Sequence, residues 1–150
     1  EAQKYIGSKE LVELRAYVEY MNRNYQKTLK ILNEYKHTNN IEESIIFWYK
    51  AQTALVLNQQ DLATSYFDSL RTLWAKDRQS TSGDFISHAF LAAAYAGLGM
   101  KENFLNEVEL VKNWMAFNKD YFLTVDYKVR QIDVLIWIGE YDQAIDLVDQ

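Results

Sequence analysis

The sequence predicts an all-α fold made of about four antiparallel helix hairpins stacked one on the next. Three observations carry this. A phrase recurs four times with drift: an apolar helical stretch, a Gly or Asn break, then an amphipathic stretch, as in Leu135 to Ile145, Tyr95 to Leu105, Ala54 to Ala63 and Glu19 to Leu29. Repetition at this scale marks an array in which no unit buries its apolar face alone. Apolar residues then follow helical spacing, with Leu62, Ala63, Tyr66, Phe67, Leu70, Leu73 and Trp74 in one run at i, i+3, i+4, i+7. Finally, proline is absent and glycine occurs five times in 150 residues, which removes the punctuation of an all-β chain.

Taken in order, the expected helices cover about 8–22, 25–37, 42–57, 60–78, 84–98, 101–117, 121–138 and 141–150, with ends uncertain by about two to four residues. The first pair is joined through Asn22 and Asn24, the second through Asn58, the third through Gly99 and the fourth through Gly139. Each of these types tolerates the left-handed conformation that ends a helix, Asn at more strain than Gly. Links of two to four residues force paired helices to lie antiparallel and in contact. In the third pair, Phe104, Leu105, Val108, Val111, Trp114 and Met115 form the expected apolar face of the second helix. The links between pairs are polar: His37 to Asn40, Arg78 to Gly83 and Asn118 to Asp120. Four units at about 8–40, 41–80, 84–118 and 120–150 thus make one repeat domain. The chain starts at Glu1 and stops inside the helix-like run Asp142 to Gln150, which reads as a piece of a longer protein.

Apolar residues are 49% and aromatics 15% of the chain, enough for a core and unlike a disordered composition. No stretch approaches the roughly 18 unbroken apolar residues of a membrane span. Without cysteine there is neither a disulfide framework nor a thiolate zinc site. The net charge of −5 hides a gradient. Residues 1–40 hold seven Lys/Arg against five Asp/Glu, residues 41–119 seven against nine, and residues 120–150 two against seven. An acidic balance with no basic cluster argues against direct binding of nucleic acid.

These residues resemble the tetratricopeptide repeat family, which forms a right-handed α-solenoid. Aligned on Gly139 and Ala144, the units start near Lys9, Ser44, Phe85 and Val125. The small residues at helix crossings become Ala16, Ala51 and Ala92 on the first helices, with Ile132 in the last unit. On the second helices they become Thr28, Ala63 and Ala144, with Phe104 departing from the pattern. The proline that usually closes a repeat is missing throughout. The phrases Tyr66 to Arg71, Ala94 to Glu102 and Gly139 to Asp146 further resemble the C-terminal repeat region of bacterial signalling proteins, where such repeats follow an adenylate-cyclase, kinase or DNA-binding domain. That implies a regulatory or assembly module tethered to an effector, in the cytoplasm, or in the periplasm if the parent is membrane-anchored.

The resemblance also implies a concave groove lined by the first helix of each pair. Its candidate residues here are Tyr17 and Tyr20, Trp48 and Gln52, Ala89 and Ala93, and Asp126 and Asp133. Such a surface is aromatic at one end, smooth in the middle and acidic at the other, and suits a peptide, a helix or another copy of the chain. The Lys and Asn of a carboxylate clamp are absent from it. Two plainer roles compete for the same side chains: alanines also serve close helix packing, and buried Trp and Tyr commonly pack against a preceding hairpin. A ligand-responsive sensor for a small molecule or signal peptide is the second reading, and an α-helical enzyme a third, weaker one.

Chemistry within the chain itself is sparsely supported. Asp84 and His88 lie at i, i+4, but a metal site usually has three or four protein ligands, so His88 reads as a packed residue with one hydrogen bond. Asp142, Asp146 and Asp149 share one helix face and seldom converge on an ion from there. Gly97-x-Gly99 ends a helix rather than joining strand to helix, so it is no phosphate loop. The expectation is a non-catalytic chain with no metal and no cofactor.

Overall fold

A computed structural model describes residues 8–36, 39–77, 85–117, 132, 135–136, 139 and 141–148. Every regular element among them is α-helical: α1 (Ser8–Met21), α2 (Tyr25–Glu34), α3 (Asn40–Val56), α4 (Gln60–Asp77), α5 (Phe85–Gly97), α6 (Lys101–Phe117) and α7 (Tyr141–Val148). The helix expected over 121–138 lies outside the described residues except for Ile132, Leu135 and Ile136, which are helical. The chain forms two compact units, divided between Tyr66 and Phe67 inside α4.

Four turns repeat one device. Arg23, Asn58, Gly99 and Gly139 all have positive φ, at 60°, 57°, 70° and 79°. After α1, the Asn24 N–H donates to the Glu19 carbonyl and the Arg23 N–H to that of Tyr20; after α3, Gln59 donates to Ala54 and Asn58 to Leu55; after α5, Met100 donates to Tyr95 and Gly99 to Ala96. These paired bonds, six-to-one and five-to-two, satisfy carbonyls that a helix end otherwise leaves open. Two residues past each left-handed position the next helix begins, at Tyr25, Gln60, Lys101 and Tyr141. Five residues past it comes a buried side chain: Thr28, Ala63, Phe104 and Ala144. Seven residues before it stand Ala16, Ala51 and Ala92, all buried, and Ile132, half-buried.

Two details correct the sequence expectation. The left-handed residue of the first turn is Arg23, not Asn22 or Asn24, because the bonds to Glu19 and Tyr20 place the stop one residue after Asn22. Helix α2 also ends at Glu34 instead of residue 37, since Tyr35 is extended and packs against a core of Ala16, Ile31, Leu32 and Ile46. That core joins α1, α2 and α3, with Val12 and Tyr49 closing its margins. Helix α3 starts on a reciprocal cap. The Asn39 side chain accepts from the Glu42 N–H at 2.9 Å and donates to the Glu42 carboxylate at 3.0 Å, satisfying an orphan donor at the N-terminus.

In the second unit α5 and α6 pack against each other. Val111 is buried beneath Ile86, Ala89 and Trp114, and Trp74 of α4 stacks on Phe90 of α5 with centroids 5.8 Å apart. Gly97 meets the buried ring of Phe67 so closely that an added Cβ would overlap it. The expected apolar face of α6 is kept in part, with Phe104 and Val111 buried and Val108 and Trp114 half-buried. Leu105 is exposed, whereas Phe104, Glu107 and Val111 point inward.

Candidate functional site

The candidate groove residues fall into different surroundings. Tyr17 and Tyr20 lie on one flank of α1, spaced three apart. Tyr17 is exposed, and Tyr20 is half-buried with its ring edge-on to Tyr25 at 5.4 Å. Gln52 of α3 is half-buried. Trp48, one turn earlier on α3, is only 5% exposed, so its ring belongs to the interior of the first unit and not to an open surface. Its apolar area makes burial favourable wherever the neighbouring helices leave room. Ala89 packs on Val111 at the contact of α5 with α6, and Ala93 is half-buried on α5. Asp126 and Asp133 lie outside the described residues, as do His37, Asp84 and Asp149.

A polar seam not expected from the sequence runs through the first unit around Tyr66. Its ring lies 6.5 Å from that of Phe47, and the Lys50 ammonium sits 5.7 Å from its centroid, a distance at which the ring face attracts a cation. Burial raises the Tyr66 phenol above its usual range, while a hydrogen bond with Asn33 acts in the opposite sense. Burial likewise lowers the Lys50 ammonium, with Glu43 partly opposing it. Tyr66 therefore ties α4 to both α2 and α3. On the rim of α1 the Glu19 carboxylate is held below its ordinary range by Lys27, at 2.6 Å, and by Asn24, whose side chain donates at 2.8 Å.

The second unit holds a buried ionisable pair. His88 Nδ1 of α5 and Glu107 Oε2 of α6 share a hydrogen bond of 2.6 Å, with the residues 8% and 2% exposed. The sequence singled out His88 as a packed residue with one hydrogen bond, and the structure places it so. It missed Glu107. The signal was present: Phe104, Glu107, Val111 and Trp114 fall at i, i+3, i+7 and i+10, so an acid interrupts an apolar stripe, the kind of exception that carries information. Both groups face each other away from solvent, a placement suited to fixing α5 against α6. Among the described residues no three His, Asp or Glu side chains come together as a metal site, and no described helix is long and apolar enough to cross a membrane.

No protein-family model matches the chain, and neither does any curated protein or solved structure.

Proposed function

We propose that this chain is a non-catalytic interaction module of the tetratricopeptide kind, which holds a peptide or helix against the first helices of its hairpins. The observation that carries the reading is the constant register of its turns. A left-handed residue at 23, 58, 99 and 139 is followed each time by a helix two residues later and a buried side chain five residues later. A chain that repeats one stop, one start and one crossing point makes equivalent helices present equivalent faces, which is how repeat arrays build binding surfaces.

Within the first unit the binding surface includes Tyr17, Tyr20 and Gln52. Exposed and half-exposed aromatics are the side chains that most often dominate interface energies. The resemblance to bacterial signalling proteins makes the module the regulatory part of a larger protein, tethered to an effector. Selection of peptides from a displayed library on the purified chain tests the reading. Bound peptides should lose about ten-fold or more in affinity on the double change Tyr17→Ala, Tyr20→Ala, with the helical circular dichroism unchanged. Peptides that bind this variant and the parent equally would place recognition elsewhere and end the groove reading.

A further inference from the structure

Lys50 is set apart from the other lysines whose side chains the structure describes. Lys27, Lys30, Lys36, Lys101 and Lys112 are exposed, whereas Lys50 of α3 is half-buried. Lys27 has a carboxylate beside it, Glu19 at 2.6 Å. Lys50 has a ring instead: its Nζ lies 5.7 Å from the centroid of Tyr66 on α4. Phe47, one turn earlier on α3, sets a second ring next to that of Tyr66, with centroids 6.5 Å apart.

These surroundings decide which form of the amine is favoured. An ammonium drawn partly out of water loses hydration, and a ring face returns less of that loss than a carboxylate does. Burial accordingly holds the Lys50 ammonium below its usual range, with the charge of Glu43 partly opposing. The neutral amine is therefore a larger share of Lys50 than of an ordinary exposed lysine. That form carries a lone pair and is the one that attacks electrophiles. The side chain is still open enough to solvent for a small reagent to reach it.

We propose that Lys50 is a site of direct acylation by small activated acyl donors of the acyl phosphate class. The Nζ lone pair attacks the carbonyl carbon, the bond from that carbon to the phosphate oxygen breaks, and phosphate leaves with the electron pair. The amine gives up one proton to water and a neutral amide remains, so nothing is oxidised or reduced. The product suits a half-buried place better than the ammonium did, because an uncharged amide loses less on leaving water. It also ends the attraction between the cation and the Tyr66 ring. Acylation thus removes one link between α3 and α4 while leaving the helices in place. The site is independent of the peptide-binding reading, which rests on Tyr17, Tyr20 and Gln52.

Treatment of the folded 150-residue chain with acetyl phosphate at neutral pH, followed by peptide mass mapping over time, tests the proposal. Lys50 should gain its acetyl group faster than Lys27, Lys30, Lys36, Lys101 and Lys112, by about two-fold or more. In urea, where all of these side chains are solvated, the rates should converge. Lys50→Arg should lose the fastest acetylation and keep its helical circular dichroism. Acetylation of Lys50 in the folded chain that is no faster than at the exposed lysines would overturn the proposal, since burial would then hinder the reagent more than it frees the amine. A lead that Lys50 keeps in urea would overturn it equally, because its folded surroundings would not be the cause.

Discussion

Thr28, Ser44 and Thr53, buried in the first unit, turn their hydroxyls to carbonyls four residues back on their own helices, at 3.2, 2.6 and 2.7 Å. His88 and Glu107, buried in the second unit, reach across from α5 to α6. Both arrangements satisfy polar groups that water cannot reach, and leaving such a group unsatisfied would cost about 1–3 kcal/mol. They differ in what else they settle. A hydroxyl bonded within its own helix says nothing about where the next helix lies. A side chain bonded to the neighbouring helix admits one register and one rotation of that neighbour. The first unit joins shape, through Ala16, Ile31, Leu32 and Ile46, to half-exposed polar links such as Glu19 with Lys27 and Tyr66 with Asn33, whereas the second buries an ionisable pair between two helices.

The sharpest way to break this contrast is to remove one member of the pair. His88→Leu takes a hydrogen bond from a carboxylate that stays buried and should cost about 3 kcal/mol, read as a lower urea midpoint. Changing both residues to Leu should recover part of that loss, because neither member of the pair is then left facing an apolar partner. If the double variant is as unstable as the single one, the pair does not act as a unit. Next in size comes Gly97→Ala, whose methyl would drive into the Phe67 ring. Overpacking of this kind costs about 1–3 kcal/mol, and Phe67→Leu in the same chain should relieve part of it.

The turns sharpen the comparison at smaller scale. Gly99→Ala meets no neighbouring atom, so its loss of about 1 kcal/mol reports backbone strain alone. Arg23→Gly relieves the same strain in the first unit and should raise stability by about 0.5 kcal/mol, the gain being reduced by the greater freedom of unfolded glycine. A loss on Arg23→Gly would show that the arginine side chain contributes more than its backbone strain removes. Smallest of all, Thr53→Val should change stability by about 0.5 kcal/mol or less, because the Tyr49 carbonyl keeps its helical partner when the hydroxyl goes.

Helix type and most helix ends were legible in the sequence because they follow from local chemistry. Gly99, Gly139 and Asn58 stand where a helix must reverse, and the alanines at 16, 51, 63 and 92 mark crossings by their size. Arg23 was not legible. Nothing in an arginine advertises a positive φ, and two asparagines beside it offered better candidates. Glu107 was passed over because acids usually face water, although its place between Phe104 and Val111 contradicted that habit. Burial of Trp48 depends on which neighbour closes over α3, a tertiary fact that spacing along one helix does not contain. Of the candidate surface residues, Tyr17 is exposed and Tyr20 half-buried on one flank of α1, positions that helical spacing alone sets side by side.

The brevity of the turns has a consequence for the rate at which this chain acquires its structure. Helix α2 begins four residues after α1 ends, α4 four after α3, and α6 four after α5, so each partner is met with little chain to be searched. Closing so short a loop takes on the order of tens of nanoseconds, and chains dominated by such near contacts fold in about microseconds to milliseconds. Each short-linked helix pair is then a place where order can start early, instead of a step that waits for distant parts of the chain to find one another.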